Sequence, residues 1–303
     1  MISIGNLAAG GRAKTPLAAL VATRLREMGE RPAILSRGYA RRDARDGVVV
    51  VRDPLGIRAD LDRAGDEPLM LARRLDGVSV LVSSSRYLAG RLAEHHLGAT
   101  VHVLDDGFQH FDLHRDANIV AIAGSDVGQP VTLPTGHLRE PLDAAAAADA
   151  FIALDAANRD AVSRLAGEAR PAWHARRRQC PARFAESPDD EAIPSFGPVV
   201  ALAGIAEPAT FFAGVRVSGW RVMRELAYRD HYLYAREDVT DIFDTARIAG
   251  ARAVLTTEKD LVRLLPFRPF PLPVAYVPLA VDLDSIATFD TWLRERMDAA
   301  RAS

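Results

Sequence analysis

Short apolar runs alternate with longer amphipathic segments along the first half of the chain. The apolar runs predict buried strands at residues 1–5, 31–36, 48–52, 78–82, 100–104, 118–123 and 150–154. The amphipathic segments predict helices at 14–28, 66–75, 86–97 and 158–169. Strands that alternate with helices favour right-handed βαβ units around a mostly parallel sheet, with the chemistry in the loops at the carboxyl ends of the strands. The fold class expected is therefore α/β.

A second, smaller α/β unit follows a stretch of different character. Residues 171–195 contain four prolines and predict an interdomain connection. Beyond them, strands are expected at 199–203, 221–227, 253–256 and 274–277, and helices at 207–217, 236–249 and 285–300. The predicted organisation is a core domain at 1–170, a connection at 171–195 and a C-terminal domain at 196–303.

Composition narrows the class of protein. The formal net charge of −2 excludes a dominant basic surface, so nucleic acid is not an expected partner. The single cysteine, Cys180, excludes an internal disulfide framework and fits a reducing compartment. No stretch approaches the roughly 18 apolar residues that span a bilayer. These features predict a soluble cytoplasmic protein.

The basic residues are unevenly chosen. Only Lys14 and Lys259 are lysine among 38 lysine and arginine residues. Where arginine serves as the general cation, a retained lysine indicates a place that needs a compact ammonium charge. Chance placement is the alternative for both.

A candidate phosphate loop lies between the first strand and the first helix. Backbone N–H groups at a helix start bind anions, Lys14 can reach nucleotide phosphates, and Thr15 can hold Mg²⁺. Gly10 and Gly11 can supply positive φ, whereas Ala13 fits such a loop only with a negative φ. The candidate loop comprises Ala8, Ala9, Gly10, Gly11, Arg12, Ala13, Lys14 and Thr15.

The loop departs from the usual Gly-x-x-x-x-Gly-Lys-Ser/Thr pattern. Ala8 and Ala13 stand where that pattern has glycine. Arg12 either contacts a phosphate or lies in solvent. The alternative for the whole segment is an ordinary glycine-containing turn with an exposed lysine.

Acidic residues supply two further candidates. Asp105 and Asp106 end an apolar strand, and paired carboxylates beside a phosphate loop suit Mg²⁺, although Asp-Asp-Gly is also a common turn composition. Asp66 and Glu67 begin a predicted helix, where acids are stabilising in themselves. In the second half, His231 follows Asp230 and is either a general base or a hydrogen-bonded surface group.

These motifs, in their order along the chain, resemble the tetraacyldisaccharide 4′-kinase family of lipid A biosynthesis. The resemblance spans nearly the whole chain and depends on an ordered set of short motifs. They are Ser36-Arg37-Gly38-Tyr39, Gly65-Asp66-Glu67-Pro68, Asp105-Asp106-Gly107-Phe108-Gln109-His110, Leu138-Arg139-Glu140-Pro141, Ala203-Gly204-Ile205, Asp230-His231 and Thr257-Glu258-Lys259-Asp260.

The resemblance implies a P-loop kinase core with a smaller C-terminal α/β domain. It implies transfer of the ATP γ-phosphate to the 4′-hydroxyl of an acylated glucosamine disaccharide 1-phosphate, giving lipid IVA, at the cytoplasmic face of the inner membrane. Lys14 and Thr15 would handle the phosphates and Mg²⁺, with Asp105 and Asp106 at the metal. Asp66, paired with His231 across the domain cleft, would activate the hydroxyl. The nucleotide and lipid-headgroup cleft would be lined by Tyr39, Arg86, Gln109, His110 and Arg139.

Two departures from the family pattern leave alternatives open. The family usually opens with an apolar anchoring helix, whereas this sequence begins at the first strand, so either the start lies upstream or attachment uses an amphipathic surface. The altered loop, with Ala8, Arg12 and Ala13, allows weakened ATP binding. The rival hypotheses are a P-loop kinase for another substrate and a catalytically silent nucleotide-binding relative.

Overall fold

A computed structural model describes residues 1–10, 13–39, 41–43, 47–154, 159–185, 192–195 and 197–302. The chain divides into two compact units. Unit 1 comprises Met1–Arg178 and Val281–Ser303, and unit 2 comprises Gln179–Ala280.

Unit 1 is built on a ten-stranded sheet. Its order is β16-β9-β8-β7-β1-β6-β2-β5-β3-β4. The seven adjacent strands from β9 to β5 in this order run parallel, and β3 and β4 extend one edge antiparallel. The strands are β1 (Ile2–Asn6), β2 (Pro32–Ser36), β3 (Val49–Asp53), β4 (Gly56–Ile57), β5 (Ser79–Val82), β6 (Val101–Asp105), β7 (Ala117–Ile122), β8 (Ala150–Ala153), β9 (Ala172–Gln179) and β16 (Leu279–Leu283).

The central strands are buried along their whole length because helices cover a parallel sheet on both faces. Ile4, Ile34, Val103 and Ile119 are fully buried. The helices are α1 (Lys14–Glu27), α2 (Leu61–Ala64), α3 (Asp66–Arg74), α4 (Arg86–Leu97), α5 (Gly124–Gly128), α6 (Arg159–Ala166) and α10 (Ile286–Ala302), with a 3₁₀ turn at Leu142–Ala147. This architecture confirms the predicted α/β fold class.

The unit boundaries differ from those expected from the sequence. Residues 171–195 are not a plain connection, because β9 lies within them and pairs in parallel with β8, Phe151 opposite Ala172. The last helix, α10, belongs to unit 1 rather than to the C-terminal domain predicted at 196–303. Prolines and a run of arginines obscured β9 in the sequence, although the alternating Trp173 and Ala175 are buried.

Aromatic packing attaches α10 to β9. The Phe289 and Trp292 rings lie 5.0 and 5.6 Å from the Trp173 ring, both edge-on. The Trp173 indole N–H donates to the Thr288 hydroxyl at 2.9 Å. The final helix is therefore part of the hydrophobic core of unit 1.

Phe289→Ala should lower the free energy of unfolding by about 3–5 kcal/mol, since Phe289 is fully buried and its loss leaves a cavity beside two tryptophans. Urea denaturation followed by tryptophan fluorescence measures this change. Arg294→Ala, an exposed position on the same helix, is the control and should stay within about 0.5 kcal/mol of wild type. A Phe289→Ala effect no larger than that of the control would contradict the assignment.

Unit 2 has a six-stranded sheet of order β11-β10-β15-β14-β12-β13. Strands β12 to β15 are parallel, and β10 and β11 extend one edge antiparallel. The strands are β10 (Ala182–Phe184), β11 (Ala192–Ile193), β12 (Pro198–Ala203), β13 (Arg221–Ala227), β14 (Ala253–Thr257) and β15 (Val274–Val277). The helices are α7 (Pro208–Val217), α8 (Arg236–Ile248) and α9 (Glu258–Leu264), followed by a 3₁₀ turn at Leu265–Phe267.

The topology of unit 1 sets the place of its chemistry. Strands β1 and β6 are parallel neighbours, and Ile4 lies opposite Asp105. Their carboxyl ends therefore meet at one edge of the sheet, the usual place for ligand binding in such folds. The loop that follows β1 and the residues that end β6 are brought together there.

Candidate active site

Two described residues of the segment between β1 and α1 have a positive φ. Gly10 has a φ of +99°, as predicted, but Ala13 has a φ of +56° and not the negative value expected for alanine. A left-handed alanine costs on the order of 1 kcal/mol, which the surrounding packing must offset. Gly11 and Arg12 lie outside the described residues. Ala13 thus adopts a left-handed backbone conformation that glycine takes without strain.

A neighbouring segment holds this loop through its backbone. The Ala9 N–H donates to the His137 carbonyl at 2.8 Å, and the Arg139 N–H donates to the Leu7 carbonyl at 2.6 Å. Ala8 bridges to Leu138, and both side chains are fully buried. The Ala8 methyl group thus belongs to the hydrophobic core. The Leu138-Arg139 motif therefore has a backbone role that its sequence did not indicate.

Lys14 points into the edge of the sheet. Its side chain is 7% exposed, and its ammonium group lies 2.7 Å from Asp106 Oδ1 and donates to Asn6 Oδ1 at 3.1 Å. Asp106 also accepts from Arg139 at 3.1 Å. Burial opposes ionisation of Asp106, but these two cations hold its pKa below the ordinary value. Lys14 and Asp106 therefore meet, as an ion pair.

Three oxygen-bearing side chains converge beside that pair. The Thr15 hydroxyl lies 3.5 Å from Asp105 Oδ2 and 3.5 Å from Glu67 Oε2. Asp105 is 4% exposed, and its Oδ1 is buried with no hydrogen-bond partner in the described part of the chain. Burial, followed by the charges of Glu67 and Asp106, raises the pKa of Asp105 to about 7. This arrangement of like charges favours a bound cation.

The donor set fits Mg²⁺ in kind. Among the described residues no group of three or more His, Cys, Asp or Glu side chains is arranged to hold a metal ion alone. Magnesium needs no such cage, because it keeps several waters and takes one or two carboxylates together with substrate phosphates. The orphaned Asp105 oxygen and the Thr15 hydroxyl meet that requirement. Asp106, which was also predicted to bind the metal, accepts hydrogen bonds from Lys14 and Arg139.

Asp105→Asn should stabilise the metal-free protein at pH 8 by roughly 1–4 kcal/mol, because the folded state there must hold an ionised carboxylate that it disfavours. The folded pKa of about 7 exceeds the ordinary 3.8, so this penalty grows as pH rises between the two values. The advantage of asparagine should accordingly vanish near pH 4. Thermal unfolding in the presence of a chelator tests both points. The exposed Asp62→Asn is the control, and an equal effect of the two substitutions would contradict the prediction.

Two of the sequence motifs meet at the start of α3. Gly65 has a φ of +83°, and a Cβ there would lie 2.9 Å from the Tyr39 carbonyl oxygen, so only glycine permits this approach. Asp66 follows, 5% exposed, and accepts from the Glu67 N–H at 2.9 Å. The Tyr39 side chain is 70% exposed. The start of α3 therefore orients Asp66. The next residue along the chain, Glu67, is the one that lies near Thr15.

The remaining substrate candidates of unit 1 surround the same edge. Arg86 is buried and donates to the Ser84 carbonyl at 3.1 Å; burial and the neighbouring Arg37 lower its pKa. Gln109 donates to the Asn6 carbonyl at 3.0 Å. His110, whose pKa is lowered by burial and by Arg86, lines a cavity of about 300 Å³. The other residues of this cavity are Ser84, Ser85, Tyr87, Asp112 and Leu113.

Unit 2 carries the histidine candidate. His231 follows β13 with a φ of +55°, and its N–H donates to Asp230 Oδ1 at 2.9 Å. The Lys259 ammonium group lies 3.0 Å from His231 Nε2 and 3.3 Å from Asp230 Oδ1. His231 and Lys259 come from separate parts of the sequence. His231 lies in the loop after β13, and Lys259 lies at the start of α9, directly after β14. The second lysine is thus a neighbour of the histidine.

The structure places Lys14, Thr15, Asp105, Asp106 and Arg139 together, and it places His231 beside Lys259. The sequence did not indicate Glu67 as a partner of Thr15, because an acid at a helix start has a sufficient explanation there. It also did not indicate the hydrogen bond of 2.9 Å between His137 Nε2 and the buried Asp126. The spacing of these residues along the chain indicates neither contact.

Comparison with known proteins identifies the family. The model of the tetraacyldisaccharide-1-P 4′-kinase family matches residues 1–298. The chain belongs to this family. The tetraacyldisaccharide 4′-kinase of Geobacter metallireducens is 37% identical over 277 residues, which are 88% of this chain and 79% of the relative. That of Anaeromyxobacter dehalogenans strain 2CP-C is 41% identical over 282 residues, 88% of this chain and 72% of the relative.

A solved structure of the family shows the same fold. The apo form LpxK from Aquifex aeolicus, determined in complex with ATP, superposes with a TM-score of 0.77 at 30% identity and covers 97% of this chain and 87% of its own. These matches confirm the family, the α/β fold and the kinase class that the sequence motifs indicated. They also support ATP as the nucleotide of the family fold.

Proposed function

We propose that this protein transfers the γ-phosphate of ATP, with Mg²⁺, to the 4′-hydroxyl of a tetraacyldisaccharide 1-phosphate, forming lipid IVA. The observation that carries this proposal is the meeting of Lys14, Thr15 and Asp105 at the carboxyl ends of β1 and β6. Phosphoryl transfer needs positioning and charge neutralisation more than covalent help. A lysine, a metal and a base are sufficient parts for it.

At the nucleotide end, the residues have separate roles. Lys14 neutralises charge on the β- and γ-phosphates, and the backbone N–H groups at the start of α1 bind them. Thr15 and Asp105 hold Mg²⁺, which supplies charge stabilisation when bound. Asp106, 2.7 Å from the ammonium group, holds Lys14 at this edge of the sheet.

At the acceptor end, Asp66 accepts the proton of the sugar hydroxyl, and we assign His231 as a further catalytic residue. Asp66 suits this role because it is buried and its orientation is set by the Glu67 N–H. Tyr39, Arg86, Gln109, His110 and Arg139 bind the headgroup and the nucleotide. Arg86 and Arg139 are fixed cations that suit a phosphorylated sugar, and His110 lines the neighbouring cavity.

The protein works as a peripheral enzyme at the cytoplasmic face of the inner membrane. Its substrate carries four acyl chains, so the reaction takes place where that lipid resides. Within the described ranges no helix is both long enough and apolar enough to cross a bilayer. Nucleic acid stays excluded as a partner in this proposal, as the net charge predicts.

The test is an assay with γ-labelled ATP, Mg²⁺ and the tetraacylated disaccharide 1-phosphate in mixed micelles. Transfer of label to the lipid supports the proposal. Transfer only to other sugar acceptors indicates a P-loop kinase of different specificity. ATP binding without transfer to any acceptor indicates a catalytically silent relative, the consequence expected if the altered loop had lost its function.

A further inference from the structure

Lys259 has a defined contact with His231 that the proposed chemistry leaves unexplained. Its ammonium group lies 3.0 Å from His231 Nε2, and its side chain is 15% exposed. An ammonium group has three donors and no acceptor, so the ring nitrogen it meets must accept. His231 Nε2 therefore carries no proton, and the neutral ring carries its proton on Nδ1.

A buried network holds both partners of this contact. Arg263, whose side chain is fully buried, donates to the Tyr232 carbonyl at 3.1 Å, directly after His231. Asp260, directly after Lys259, accepts from the Tyr234 hydroxyl at 2.8 Å. The histidine and the lysine are thus each one residue away from a group anchored in the core of unit 2.

The same network ties in the loop after β12. Asp260 accepts from the Gly204 N–H at 3.0 Å and from the Thr257 hydroxyl at 2.6 Å, and Arg263 donates to the Gly204 carbonyl at 3.1 Å. A Cβ at Gly204 would lie 2.8 Å from Asp260 Oδ1, so glycine is needed for this approach. Three motifs far apart in the sequence therefore serve one structural purpose.

We propose that Lys259 is a positioning residue that fixes the tautomer and ring orientation of His231. This inference rests on the proposed function. By occupying Nε2, Lys259 makes Nδ1–H the ring donor of His231. A ring without this partner can carry its proton on either nitrogen and can rotate about its Cβ–Cγ bond. Among these tautomers and ring orientations, only one gives the Nδ1–H donor in the orientation that the contact with Lys259 sets.

Asp230 completes the arrangement. Its carboxylate accepts from the backbone N–H of His231. It also lies 3.3 Å from the Lys259 ammonium group, so it balances the charge of the lysine. A compact ammonium group meets a ring nitrogen and a carboxylate at once, whereas a planar guanidinium fork would need a different spacing. This requirement explains why a chain that otherwise uses arginine keeps lysine here.

Lys259→Met keeps the length and apolar stem of the side chain and removes the donor. We expect kcat for lipid phosphorylation to fall roughly tenfold to a hundredfold, with KM for ATP unchanged, because the nucleotide phosphates are bound by unit 1. Lys259→Arg should recover only part of the loss. Arg216→Met, which removes an exposed cation from an ion pair with Glu225 in the same unit, is the matched control and should behave as wild type.

A double-mutant cycle shows whether Lys259 acts through His231. Lys259→Met added to His231→Ala should cause no further loss, since the ring that it positions is already absent. A fully additive loss would overturn the proposal and indicate direct contact of Lys259 with substrate. Unchanged turnover in Lys259→Met alone would overturn it as well.

Nitrogen-detected NMR of the histidine side chains provides a readout independent of activity. The His231 signal, assigned by its absence in His231→Ala, should report the Nδ1–H tautomer in the wild type and a mixture in Lys259→Met. The same tautomer in both proteins would overturn the inference. A wild-type protein with this tautomer but no transfer to the lipid would instead refute the proposed function and leave the positioning role intact.

Discussion

Lys14→Ala should reduce kcat for phosphoryl transfer on the order of 10³-fold or more, because it removes the fixed positive charge that faces the developing charge of the transferred phosphate. The lysine is held ready for this role by Asn6 and Asp106 at the end of the sheet. Steady-state kinetics with saturating lipid, together with equilibrium binding of ATP, separates a loss of turnover from a loss of affinity.

The fold should survive this substitution. Asp106 is 37% exposed and keeps Arg139 as a partner at 3.1 Å, so loss of the lysine leaves no isolated buried charge. Far-ultraviolet circular dichroism and the unfolding midpoint check this point. Arg26→Ala, an exposed position on the same helix, is the control and should retain full activity. Turnover within a few-fold of wild type in Lys14→Ala would refute the role of the loop.

Asp66→Asn should lower kcat by about 10²–10⁴-fold, the usual contribution of a general base. Asparagine is nearly isosteric, and its side-chain oxygen can still accept from the Glu67 N–H that orients Asp66. The substitution therefore removes the proton acceptor without removing the local hydrogen bond. KM for ATP should change little, since no step of nucleotide binding is assigned to Asp66.

The pH dependence distinguishes this role from a structural one. The wild type should show an acidic limb in kcat where the base becomes protonated, and Asp66→Asn should lose that limb. Asp62→Asn, which changes an exposed carboxylate four residues earlier, should keep both the rate and the profile. A mutant profile that retains the acidic limb would assign the base to another residue.

Much of the site was predictable because local sequence carries its chemistry. Gly10, Lys14 and Thr15 follow a buried strand and begin a helix, which is sufficient to indicate an anion-binding turn. Asp105 ends another buried strand, and parallel strands bring such ends to one edge. His231 and Lys259 were each noted for their residue type, but nothing in the sequence linked the two.

Other features depended on contacts between distant segments. Ala13 has a positive φ, whereas alanine alone predicts the opposite sign. Glu67 joins Thr15, and Asp106 turns to Lys14 and Arg139, through side-chain directions that spacing along the chain does not encode. Neighbouring prolines and charges obscured the strand pattern of β9. The assignment of α10 to unit 1 could not be predicted, because α10 follows unit 2 along the chain.

The order of strands, helices and motifs in this protein follows from local patterns, since apolar periodicity and residue chemistry act over a few neighbours. Those patterns indicate an α/β fold and single out Lys14 and Asp105, whereas the kinase class and the role of Asp66 came from the resemblance to the family. Packing between segments far apart in the sequence decides the rest. It sets the contacts of Thr15, the pairing of cations with carboxylates, and the unit to which α10 belongs. Such packing depends on the shape and burial of the folded chain, and these exist only once distant segments have met.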